Sequence, residues 1–80
     1  MRQYKDLLEK ERRRLIWISD AIVDNNPLWL LRLPKVQRDD VMPLFEQLKA
    51  LFVGMPRPVY YEQIFNALRA AQLLCLLEEN

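Results

Sequence analysis

Eighty residues carry 12 Lys+Arg, 11 Asp+Glu and no His, giving a formal net charge of +1, and 51% of them are apolar. A chain of that size is expected to form a single helical domain over 1–80, and its balanced, well-mixed charge excludes a strong long-range field for drawing in nucleic acid or an anionic membrane. A lone Cys cannot close an internal disulfide, so the fold has no covalent staple and a reducing, cytoplasmic setting is expected.

The opening, MRQYKDLLEKERRR, mixes acids and bases densely before the short LIWIS run and reads as neither a signal nor a transit peptide. No apolar stretch reaches the roughly 18 residues that a membrane span requires. Thr is absent, Gly occurs once and no segment alternates apolar and polar for long, so strand signals are weak. Prolines at 27, 34, 43, 56 and 58 punctuate the chain, and between them apolar residues recur at helical spacing.

The first helix is predicted over about residues 2–24. Tyr4, Leu7, Leu8, Leu15, Ile18 and Ile22 share one stripe, and Arg2, Asp6, Glu9, Arg13 and Asp20 lie opposite. Such a helix runs ~34 Å. Asp6 with Lys10 and Glu9 with Arg13 are acid-before-base pairs worth about 0.3 kcal/mol each. Two residues break the pattern. Glu11 projects into the middle of the apolar stripe, where a carboxylate must be paired, overhang the bundle or face a partner's cation. Trp17 falls on the polar side near Lys10 and Asp24, either as an interface anchor or packed under the next segment.

Asp24-Asn25-Asn26 followed by Pro27 reads as a stop and a restart, with Asn26 as N-cap and Pro27 at the first helical position. The piece Leu28-Trp29-Leu30-Leu31-Arg32-Leu33 ends at Pro34 and is too short to aim all its large apolar side chains at one neighbour. The third helix is predicted to open at Asp40, which leaves Pro43 inside the first turn, where its missing N–H costs nothing. Val41, Leu44, Phe45, Leu48, Leu51 and Phe52 form its stripe, and Gly54 is its expected stop.

Met55-Pro56-Arg57-Pro58 is a stiff connector, and Pro58 pre-sets a final helix from about 59 to about 78. Tyr61, Ile64, Phe65, Leu68 and Ala71 share one face of it. Farther on, Leu73, Leu74, Leu76 and Leu77, with Cys75 among them, point all round the axis, and such a helix end is either enclosed or joined to something. The expected fold is all-α: a small irregular antiparallel helical bundle of three to four helices, long first and last.

Catalytic equipment is scarce. A nucleophile needs an activating base, and with no His neither Ser19 nor Cys75 can be placed in a Ser–His or Cys–His arrangement. Cys75, in an apolar helix, is expected to be buried and inert. Asp39-Asp40 and Glu78-Glu79 lack metal-loop spacing, and the single Gly offers no phosphate cradle, so no enzyme, metal or cofactor is expected.

The run Lys10-Glu11-Arg12-Arg13-Arg14 raises nucleic-acid binding, but consecutive arginines on a helix fan through about 200° and cannot share one groove. A reading helix over 59–69 would offer Gln63, Asn66 and Arg69 to bases, with Glu62 opposing it. A small homodimeric regulator of transcription or replication that contacts nucleic acid through Lys10, Arg12, Arg13 and Arg14 is therefore the alternative expectation. The leading one rests on apolar surplus. A core this small yields only about 3–5 kcal/mol, yet Trp17, Leu28, Trp29, Leu30, Leu31, Leu73, Leu74, Leu76 and Leu77 exceed what one copy can readily cover. They are expected to bind another protein chain, in a homo- or hetero-oligomer, making the protein a non-enzymatic interaction module: a small adaptor, chaperone-like escort or inhibitor.

Overall fold

The structure, a computed structural model, describes residues 2–24, 26 and 35–78, with the side chains of 35–37 left aside. Among these residues the secondary structure is entirely helical: α1 (Glu9–Val23), α2 (Lys35–Leu51) and α3 (Arg57–Ala70), with 3₁₀ helices at Tyr4–Asp6 and Leu74–Leu77. The bundle is built around α1, which packs on α2, α3 and the C-terminal 3₁₀ helix, while α3 also meets both 3₁₀ pieces. This is the all-α bundle that the helical periodicity implies. No helix among the described residues is long and apolar enough to cross a membrane.

The first helix is shorter than the amphipathic pattern predicts. The chain turns through the Tyr4–Asp6 3₁₀ helix and then runs extended at Leu7 (φ −65°, ψ 136°) and Leu8 (φ −67°, ψ 157°) before α1 begins. Tertiary contacts cause the break. Leu7 is buried in the core, the Tyr4 ring meets Phe65 edge-on at 6.0 Å, and Arg69 donates to the Arg2 carbonyl at 3.1 Å. Folding back in this way gives α1 a start signal that a continuous helix would lack: the Glu11 carboxylate accepts the Leu8 N–H at 3.0 Å, half of a capping box.

At the far end of α1, Ile18, Ala21 and Ile22 enter the core, and the Asn26 N–H reaches back to the Ala21 carbonyl at 2.8 Å, consistent with a stop after Asp24. The predicted short helix over 28–33 lies outside the described residues.

The second described helix opens at Lys35 rather than Asp40, so Pro43 sits well inside it instead of in its first turn. There it removes a donor that would otherwise bond the Asp39 carbonyl, at a cost that apolar burial must offset. The stripe is largely as predicted: Val41, Phe45 and Leu48 are buried and Leu44 and Phe52 half-buried, but Leu51 at the helix end is exposed. Gly54, at φ 77°, makes the left-handed turn that follows. Across the connector, the buried Tyr60 hydroxyl donates to the Leu48 carbonyl at 3.0 Å, and burial pushes that phenol up to about 12, so it stays a neutral donor.

The last helix is also shorter than predicted. It ends at Ala70 in a Schellman arrangement, with the Gln72 N–H on the Arg69 carbonyl at 3.1 Å and the Leu73 N–H on the Leu68 carbonyl at 2.8 Å. Gln72 takes the left-handed position at φ 60°, where glycine is usual. The chain then doubles back into the Leu74–Leu77 3₁₀ helix, and the Arg14 Nε donates to the Leu76 carbonyl at 2.6 Å, tying this segment to α1.

Candidate interaction surface

The C-terminal leucines, grouped by sequence as one docking element, divide into two kinds. Leu76 and Leu77 are core residues, the latter 1% exposed, and Leu73 and Leu74 are half-buried against the same cluster. The reversal at Gln72 brings this about. A continuous helix would have spread these side chains round its axis, whereas the turn folds two of them inward beneath α1 and α3. Much of the expected surplus at this end is thus covered by the chain itself. Cys75, expected to be buried, is the residue turned outward: a 3₁₀ turn that seats its two neighbours on the C-terminal side leaves it on the opposite face.

Trp17 projects from α1 and is 39% exposed, with the Arg14 guanidinium 5.7 Å from its ring centre. Leu28, Trp29, Leu30 and Leu31 lie outside the described residues. Other exposed apolar side chains escaped the sequence reading. Val53 is 84% exposed and Leu51 and Val59 nearly half-exposed, so the α2–α3 corner is apolar on its outer surface. Met42 on α2 and Leu8 before α1 are exposed as well. The signal for the corner was present as Leu51-Phe52-Val53 directly before Gly54: a helix that ends there cannot keep all three side chains on its buried stripe.

The basic run is largely engaged within the fold. Arg12 stacks 5.2 Å from the Tyr4 ring centre, Arg13 pairs with Glu9 at 2.6 Å, and Arg14 holds the Leu76 carbonyl while lying over Trp17. Lys10 is exposed. These groups face different neighbours rather than forming one phosphate-binding row. On the notional reading helix, Gln63 is exposed and Asn66 half-buried, while Arg69 stacks over Phe65 at 5.7 Å and bonds the Arg2 carbonyl.

Glu11 is buried, as its place in the apolar stripe implies, and its cation comes from the chain itself: Arg2 reaches back to pair with it. The Arg2 guanidinium, with the Leu8 N–H, holds the Glu11 carboxyl below the usual carboxylate value against the opposing effect of burial. At the other end of α1, Asp20 accepts Arg57 at 2.5 Å and the Tyr61 hydroxyl at 3.1 Å, fixing the start of α3. The buried Ser19 hydroxyl donates to the Leu15 carbonyl at 2.7 Å, a bond internal to the helix.

Asp39, Asp40 and Glu78 are exposed, and among the described residues no cluster of His, Cys, Asp and Glu is placed to hold a metal ion. What the described surface offers is apolar contact at Trp17 and at the α2–α3 corner, the latter beside the Arg57–Asp20 ion pair. No protein-family model, curated protein or solved structure matches this chain.

Proposed function

We propose that this protein is a non-enzymatic interaction module that docks on another polypeptide through apolar side chains, acting as a small adaptor, escort or inhibitor. The observation that carries this reading is the outward apolar corner where α2 gives way to α3: Val53 in the connector stands in solvent, and Leu51 at the end of α2 and Val59 in the first turn of α3 are nearly half-exposed. Isolated exposed apolar residues are ordinary, but several at one helix-to-helix junction mark a contact surface. Trp17 adds a large anchor of the type that dominates binding energy when a partner covers it. Leu28, Trp29, Leu30 and Leu31 remain in the proposal on sequence grounds, whereas Leu76 and Leu77 leave it because they are already buried.

The test is affinity capture from the native host with wild type, Trp17→Ala and Val53→Asp, each first shown to be folded by circular dichroism. Sedimentation across a concentration series distinguishes a second copy from a different protein. Loss of a defined partner by folded Val53→Asp supports the corner, with about 2 kcal/mol of binding lost for Trp17→Ala if it is the anchor. Retention of the same partner at the same affinity by both variants removes the proposed surface.

A further inference from the structure

Residues 2–8 fit two mutually exclusive conformations, and we propose that they form a reversible clasp: held by Arg2 on Glu11, the segment lies across α1 and α3, and on release it winds into a helix continuous with α1. The sequence favours the wound form. Tyr4, Leu7 and Leu8 extend the stripe of Leu15, Ile18 and Ile22, Asp6 stands four residues before Lys10, and no Gly or Pro interrupts Arg2 to Val23. The local start signal for α1 at Glu9 is the Glu11 carboxylate on the Leu8 N–H, whereas Leu7 and Leu8, the two residues held extended before the helix, are themselves strong helix formers.

Within the clasped segment the Gln3 N–H donates to the Asp6 carboxylate at 3.1 Å, but its place against the bundle is held from outside the segment. Arg2 pairs with the buried Glu11, Arg69 bonds the Arg2 carbonyl, Tyr4 packs edge-on against Phe65, and Leu7 enters the core. Two of these contacts converge on Arg2, and Asp6 and Glu78 add to the negative field about its guanidinium. The two forms compete for one hydrogen. The Leu8 N–H now donates to Glu11 at 3.0 Å, but in a continuous helix it would serve the Tyr4 carbonyl. Winding would also separate Arg2 from Glu11 by about 13 Å of helical rise, parting the ion pair. Release therefore lengthens α1 by about two turns and uncovers the face of Phe65 and Arg69 that the clasp now occupies.

Nuclear magnetic resonance on the full chain decides this, with wild type, Arg2→Ala, and Arg2→Ala combined with Glu9→Pro. Wild type should show ring-to-ring Overhauser contacts between Tyr4 and Phe65 and extended Cα shifts at Leu7 and Leu8. In Arg2→Ala, which deletes only a partly exposed side chain, those contacts should be lost and the Cα shifts of residues 3–8 should move to helical values. Proline at position 9 suits the first turn of α1 and keeps Leu8 extended, but it cannot pass a helix through from Lys5. Adding it should therefore abolish the helical shifts. Persistence of the wild-type pattern in Arg2→Ala, a change to random-coil values, or helical shifts that survive Glu9→Pro would each overturn the clasp.

Discussion

Truncating the C-terminal leucines one at a time separates a core segment from a docking segment. Leu77 and Leu76 are 1% and 3% exposed, so replacing either with Ala removes buried methyl groups and leaves a cavity, at about 2–5 kcal/mol each. Leu77, the more enclosed, should lie toward the upper half of that range. Leu74 is half-buried and should cost about 1 kcal/mol, and the exposed Cys75→Ala should fall within about 0.5 kcal/mol of wild type. A chain of this length has a total stability of about 4–12 kcal/mol, so Leu77→Ala removes a large fraction of it. Urea titrations followed by tryptophan fluorescence and circular dichroism measure the series, with midpoints compared at constant slope. The order Leu77, Leu76, Leu74, Cys75 is the signature of the 3₁₀ turn. Near-equal, small losses at all four positions would refute it, since that is how a solvent-facing helix behaves.

Pro43→Ala should stabilise the protein by about 1–3 kcal/mol, because α2 regains a bond to the Asp39 carbonyl and the exposed proline ring contributes little packing. If the helix opened at Asp40 the same change would be neutral or slightly destabilising, and thermal melts tell the two apart. Gln72→Gly should also stabilise, by about 0.5–1 kcal/mol, as relief of the left-handed strain exceeds the added freedom of the unfolded chain; a lower urea midpoint would contradict the Schellman stop. Acid should act through Glu11. Its folded pKa lies below the unfolded value, so its contribution is fully present above that value and is lost as pH falls through the folded one. Wild type should thus lose stability more steeply below pH 4.5, the unperturbed carboxyl value, than Glu11→Gln, and parallel midpoints from pH 6 to pH 3 would rule out this carboxylate as the source.

The sequence by itself determined the helical class, the stripes of α1, α2 and α3, the stop after Asp24 and the turn at Gly54, because these follow from side-chain period and from residues that bias their own backbone. It also marked Glu11 as a carboxylate needing a cation, since burial of a charge can be read from its place in the stripe. Tertiary structure decided where the helices end. Leu7-Leu8 and Gln72 are not residue types that break a helix by themselves, so contacts with distant residues select the reversals over a continued helix: Arg2 with Glu11 and Tyr4 with Phe65 at one end, and Arg14 with the Leu76 carbonyl at the other. Those reversals in turn decided which leucines face water, as burial at residues 73–77 depends on a turn whose stabilising partners lie some sixty positions away in the chain.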